Sequence, residues 1–125
     1  MKRICIIPGD GIGREVVPAA QRVLESTGLA LEFASAEAGW DTFQRTGEAL
    51  PPETTEAVRS TDATLFGAVS SPSHAVDHYR SPIVSLRHGL DLYANLRPSR
   101  SQPIITSRPG IDLLIVREKS KGRSE

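Results

Sequence analysis

Near the N-terminus, Arg3-Ile4-Cys5-Ile6-Ile7 carries four apolar residues in succession and is stopped at once by Pro8-Gly9-Asp10-Gly11-Ile12-Gly13. A strand that is apolar on both alternating sides has no face to give to water. It belongs in a sheet covered on both faces, as parallel strands are. Proline and glycine then end the strand sharply. Helix signals follow, with Val16, Val17, Ala20, Val23 and Leu24 on one helical face and Gly28 placed as terminator. Pro18 fits such a helix if it lies in the first turn, where backbone donors have no partner. Strand, glycine turn and helix open an α/β fold.

The remaining chain continues the pattern. Residues 29–35 alternate well enough for a second strand. Residues 39–47 read as a short helix with Trp40 and Phe43 inward, as core and not as a ligand cage. Residues 51–59 start with prolines and acids, as helices do. Residues 63–69 form another buried strand. The order β-α-β-α-α-β predicts an α/β fold with a mainly parallel sheet and flanking helices. Residues 73–82 are polar and irregular, the composition of a mobile loop over a site. Residues 83–90 read as a helix and 92–96 as a strand ending in Arg97-Pro98. A proline-punctuated connection, 99–109, leads to a strand ending at Arg117. No repeat or second domain boundary is marked, so residues 1–118 read as one α/β region. The tail 119–125 has nothing to bury and is expected to be disordered.

Composition narrows the function classes. A chain of 125 residues is the size of one ordinary domain. Its formal net charge of zero argues against a nucleic-acid or membrane-surface partner. No apolar run approaches a membrane span, and the run after Met1-Lys2-Arg3 is too short for a signal-peptide core. One cysteine leaves no disulfide framework and no cysteine metal site. Cys5 is expected inside the first strand, and the protein is expected in the cytoplasm.

The glycine loop is not a dinucleotide fingerprint. Gly9, Gly11 and Gly13 miss the G-x-G-x-x-G spacing, whose third glycine falls at Arg14. Asp10 puts a negative charge where a pyrophosphate should sit. Glu32 lies where the fingerprint wants an acid, but one acid in an alternating strand is weak support. Ser70 and Ser71 directly follow a strand, at the end where open parallel sheets bind ligands, although serines also mark plain turns. His74 and His78 have no helical face to share and are discounted as metal ligands. Arg87, Arg97 and Arg117 each border a segment that reads as buried, where a guanidinium needs an anion. Arginine's planar fork suits carboxylate. Together they point to a small ligand with several carboxylates. Ordinary surface or ion-pair roles are the plain alternative, because single arginines often flank strands.

Four stretches, quoted in order, carry a resemblance. They are Ile6-Ile7-Pro8-Gly9-Asp10-Gly11-Ile12-Gly13-Arg14-Glu15-Val16, Gly67-Ala68-Val69, Leu86-Arg87 through Tyr93-Ala94-Asn95-Leu96-Arg97-Pro98, and Ile115-Val116-Arg117-Glu118. This pattern resembles the β-decarboxylating dehydrogenases, which include isocitrate, 3-isopropylmalate and homoisocitrate dehydrogenases, and Ala38-Gly39-Trp40, Ala63-Thr64-Leu65-Phe66-Gly67-Ala68 and Leu90-Asp91-Leu92-Tyr93-Ala94-Asn95 are most similar to the bacterial homoisocitrate branch. The resemblance implies part of the first domain of that fold. It also implies NAD or NADP with Mg2+ or Mn2+, a polycarboxylate substrate, and a homo-oligomer when complete. It assigns Arg87, Arg97, Arg117, Ser71 and Val84 to substrate, and Ile12, Val69, Ser70 and Ser71 to cofactor. No catalytic or metal-binding residue of the family pattern matches a position of this chain, because that pattern places them downstream. After Glu118 the family continues with an Asn-Thr-Glu-Gly-like turn, whereas this sequence reads Lys119-Ser120-Lys121-Gly122. The chain is therefore expected to be a fragment or a truncated or frame-shifted product, inactive alone.

A second departure concerns specificity. The turn before Arg87 reads Ser81-Pro82-Ile83-Val84-Ser85-Leu86. In the family, isocitrate enzymes tend to carry polar residues there, isopropylmalate enzymes leucines, and some homoisocitrate enzymes an arginine. Ile83 and Val84 suit an apolar substituent. Two function classes stay open: the first-domain half of a metal-dependent oxidoreductase, or a catalytically silent chain that binds a small carboxylate or another subunit.

Overall fold

In the computed structural model, residues 1–118 are described. The elements run β1 (Lys2–Gly9), α1 (Gly13–Ser26), β2 (Leu31–Ser35), α2 (Trp40–Thr46), α3 (Pro52–Arg59), β3 (Ala63–Ala68), α4 (Pro82–Gly89), β4 (Ala94–Arg100) and β5 (Asp112–Glu118). They form two compact units, Met1–Leu86 and the residues from Arg87 on. No sequence signal marks this division, because it falls inside the helical run of α4.

The first unit is the expected parallel sheet, in the order β2-β1-β3. Ile4 and Ile6 of β1 pair with Phe33 and Ser35 on one side and with Ala63 and Leu65 on the other. A central strand hydrogen-bonded on both edges must be covered on both faces, which explains its continuous apolar run. Cys5 and Ile7 are fully buried, with Leu50, Ala57, Val58 and Phe66 packed nearby. Ile6 is buried on the opposite side of the pleat. α1 packs against β1 and β3. Gly28 closes α1 with a left-handed φ of 72°. Glu32 faces Arg3 across the β1–β2 pair at 3.5 Å, an ordinary cross-strand ion pair.

Two details of α1 depart from expectation. Its inward line is Gly13, Val17, Ala20 and Leu24, while Val16 and Val23 are exposed. Those two valines sit one helical step from the contact line, and a small face suffices against strands ended by Gly67-Ala68. Pro18 is the sixth residue of α1, beyond the first turn. It removes one helical hydrogen bond on the exposed side, where water can serve the carbonyl of Arg14.

In the second unit, β4 and β5 form a two-stranded antiparallel ribbon, with Asn95 opposite Arg117 and Arg97 opposite Ile115. β4 does not stop at Pro98 but runs on to Arg100. Both strands are edges, so a residue without an N–H can sit with its nitrogen on the unpaired side. Leu113, Leu114, Ile115 and Val116 are 50–63% exposed. The expectation that these segments are buried, with their arginines buried beside them, is overturned for the described residues. Apolar sequence makes this a strand in need of cover, and the ribbon supplies none from its own two strands. The expected tail, 119–125, lies outside the described residues.

Candidate functional site

The strand order places a switch point between β1 and β3, where the chain leaves for β2 on one side and returns on the other. Ligands of open parallel sheets bind at such points, outside the carboxyl ends of the strands. The turn after β1 holds Asp10 and Ile12, and the turn after β3 holds Val69, Ser70 and Ser71. The Asp10 amide donates to the carbonyl of Ala68 at 2.7 Å, locking the two turns together. Of the residues assigned to cofactor, Ile12 is 59% exposed, Ser70 and Ser71 are exposed, and Val69 is half-buried.

Gly9 and Gly13 serve close packing, while Gly11 has open space around it and a left-handed φ of 50°. A Cβ on Gly13 would collide with the carbonyl of Pro8, and one on Gly9 with the carbonyl of Ala68. The start of α1 therefore lies directly on the strand ends. Its first amides are already used: Gly13 donates to Asp10 at 3.0 Å, Arg14 to Gly11 at 3.1 Å and Glu15 to Ile12 at 3.0 Å. These three amides are therefore not vacant donors for a pyrophosphate.

Asp10 has a role that the sequence reading missed. It is only 3% exposed, and its carboxylate accepts three backbone amides: Trp40 at 2.7 Å, Asp41 at 2.9 Å and Ser70 at 2.8 Å. Two of these are the first amides of α2, so the anion bound at that helix start is the protein's own side chain. Gly39 is required here, because a Cβ would strike this carboxylate. The available signal was an aspartate between two glycines just after a strand, a residue type that accepts nearby amides.

Trp40 and Phe43 stack at 5.5 Å, half-buried and not full core. Tyr79, from the irregular segment after β3, meets both rings edge-on at 5.2 Å. Its hydroxyl donates to the carbonyl of Ser70 at 3.0 Å. Burial pushes the Tyr79 phenol above its ordinary range, and the charge of Asp10 adds to this, so it remains a protonated donor.

A cavity of about 300 Å³ opens on the β2 side of β1. Arg14–Asp41 and Arg45–Glu37 ion pairs line it, so its charges are mutually neutralised. It contains none of the residues assigned to ligand and is not favoured here as the site.

In the second unit, the ribbon register sorts its charges. Side chains of paired residues share a face. One face carries Asn95, Arg97 and Ser99 against Arg117, Ile115 and Leu113. It holds two arginines and no acid. The other carries Leu96, Pro98, Val116 and Leu114, with Asp112, Glu118 and Arg100 around them. Arg100 and Asp112 pair there at 3.1 Å. Arg97 and Arg117 are diagonal neighbours, a relation within reach of long side chains. The Asn95 side chain accepts from Arg97 Nε at 2.9 Å, orienting that guanidinium. Arg87 is half-buried in the last turn of α4, and Val84 of the same helix is half exposed. Among the described residues, no group of three or more His, Cys, Asp or Glu could hold a metal ion, so no metal step is derived from them. Among the same residues, no helix is long and apolar enough to cross a membrane.

Comparison with known proteins identifies the family of this chain. The isocitrate/isopropylmalate dehydrogenase family profile matches residues 3–123. The isocitrate/homoisocitrate dehydrogenase of Thermus thermophilus is 59% identical over 120 residues, covering 96% of this chain and 36% of that protein. A 3-isopropylmalate/3-methylmalate dehydrogenase of Methanocaldococcus jannaschii is 51% identical, covering 98% and 35%. The crystal structure of a β-decarboxylating dehydrogenase from Thermococcus kodakarensis superposes with a TM-score of 0.82 at 43% identity, over 98% of this chain and 35% of that one. The chain thus spans about a third of the length of these relatives. It belongs to the isocitrate/isopropylmalate dehydrogenase family, whose members are oxidative decarboxylating dehydrogenases.

Proposed function

We propose that the complete protein is a cytoplasmic, homo-oligomeric enzyme that oxidises and decarboxylates a 2-hydroxy polycarboxylic acid. The substrate is homoisocitrate or isocitrate, within lysine biosynthesis, and the cofactor is NAD or NADP with Mg2+ or Mn2+. This chain supplies the arginine half of the substrate site: Arg87, Arg97 and Arg117 bind the carboxylates. Ile12, Val69, Ser70 and Ser71 face cofactor, and Ser71 also reaches substrate. The carrying observation is the acid-free ribbon face on which Arg97 and Arg117 stand as diagonal neighbours, with Asn95 orienting one of them. Like charges held side by side on one face are unfavourable by themselves. A polyanion between them relieves that cost.

The test is steady-state kinetics on the full-length protein. Arg97→Ala is expected to lose about 2–4 kcal/mol of transition-state stabilisation, roughly 30- to 1000-fold in kcat/KM. Arg100→Ala, whose partner lies on the other face, should stay within about 1 kcal/mol of wild type. Equal losses in the two variants would show that the acid-free face is not the substrate face.

A second reading, 3-isopropylmalate as substrate, is favoured by Val84. Its exposed valine side chain on α4 offers no donor for a distal carboxylate, while each methyl of an isopropyl group buried on it gains roughly 0.8 kcal/mol. We expect a relaxed enzyme that accepts 3-isopropylmalate beside homoisocitrate or isocitrate. Rejection of 3-isopropylmalate by more than about a thousandfold, on the order of 4 kcal/mol, would mean that another polar group reads the tail.

A further inference from the structure

The segment after β3 is held by a closed ring of contacts. The Ser70 amide donates to Asp10 Oδ2 at 2.8 Å, and the same oxygen accepts the Trp40 amide at 2.7 Å. The Ser70 carbonyl accepts from the Tyr79 hydroxyl at 3.0 Å, and the Tyr79 ring lies edge-on to Trp40 at 5.2 Å. Asp10, Ser70, Tyr79 and Trp40 thus close on one another. β3 ends at Ala68, so no sheet ladder orders Ser70. Residues 71–78 between the two ends are mostly exposed and make no helix or strand.

We propose that Asp10 and Tyr79 are positioning residues that grip the Ser70 backbone from opposite sides and so set where the Ser70 and Ser71 hydroxyls stand. This rests on the reading of that segment as ligand-facing. Both backbone groups of Ser70 are committed to the protein, so only its side chain is left to meet a ligand. A binding group on an irregular segment gains precision only from such supports, because small misplacements are costly in a site. Tyr79 adds a second function, tying the far end of the 71–78 segment back to its start.

Tyr79→Phe in the full-length protein keeps the ring on Trp40 and Phe43 and deletes the hydroxyl alone. The Ser70 amide should then exchange with solvent several-fold faster. KM for NAD+ should rise roughly three- to tenfold, the size of one neutral hydrogen bond, while kcat stays within about twofold and the melting temperature holds. Asp10→Asn should do the same to Ser70 and also loosen the start of α2, because Oδ2 takes both the Ser70 and Trp40 amides and the neutral amide side chain offers them no charged acceptor. Combined with Tyr79→Phe it should add little to the Ser70 exchange rate, since both variants release the same residue. Wild-type Ser70 exchange in Tyr79→Phe would overturn the grip whatever the activity. Faster exchange with unchanged KM, or with KM and kcat impaired together, would overturn positioning and leave a structural bond. If the wild type oxidises no 2-hydroxy acid, the proposed activity fails separately, and the dissociation constant for NAD+ in the same variants decides positioning: a three- to tenfold weakening supports it, and an unchanged value overturns it.

Discussion

β1 and β5 are close in apolar content and opposite in burial. Cys5 and Ile7 of β1 have no exposed surface, whereas Leu113 to Val116 of β5 keep half or more of theirs. β1 pairs on both edges and is covered by helix on each face. β5 has one partner and, within its two-stranded sheet, no cover. An apolar run thus reports that a strand needs cover, not which part of a protein provides it. The difference also bears on Arg97 and Arg117: they project from a ribbon face sorted by register, not from a buried layer.

The largest expected contrast is in stability. Ile7→Ala should cost about 2–5 kcal/mol in urea unfolding of the first unit. Leu114→Ala, on a surface already open, should change the stability of this chain by no more than roughly 0.5 kcal/mol. Comparable losses would mean that the ribbon is buried in solution. The contrast in thiol reactivity is the next sharpest. Burial pushes the Cys5 thiol above its ordinary range, with a Thr64 hydrogen bond opposing weakly, so few thiolates exist at neutral pH. Native Cys5 should react with iodoacetamide on the order of a hundredfold more slowly than in the unfolded chain, while a cysteine introduced by Val116→Cys should react freely. Rapid native alkylation of Cys5 would break the contrast.

The smallest effect concerns the rim of the parallel sheet. Asp62 accepts the Arg3 amide at 2.8 Å and the Lys2 ammonium at 2.9 Å. The backbone bond from Arg3, then Lys2, holds its carboxyl below the usual range. A folded pKa below the unfolded one stabilises above the unfolded value, about 4, and that stabilisation is lost as pH falls through the folded pKa. Asp62→Asn should therefore lower the melting temperature slightly at neutral pH and leave it unchanged in strong acid. A loss that persists in acid would point to packing instead of charge.

How far the site was legible depends on the range of the interactions that build it. The failed fingerprint was readable from Gly9, Gly11 and Gly13, because turn geometry is local. The arginines read as candidates for carboxylates from chemistry alone, yet the exposure of Arg97 and Arg117 was not legible, since it depends on what covers β4 and β5. Glu32 resolved into a cross-strand ion pair only once the β1–β2 register was known. Trp40 and Phe43 read as inward, but their third neighbour, Tyr79, lies over thirty positions away, on a segment whose polar sequence suggested only mobility.

By itself the sequence determined the strand–turn–helix opening, a mainly parallel sheet with flanking helices, and the family pattern through Glu118. Each follows from periodicity and from backbone limits that act over a few residues. Tertiary structure alone decided that Asp10 collects amides from Trp40, Asp41 and Ser70, and that Arg97 and Arg117 share a face free of acids. Those arrangements join residues up to 60 positions apart. They depend on register and packing, where a one-residue slip would turn each side chain to the other face.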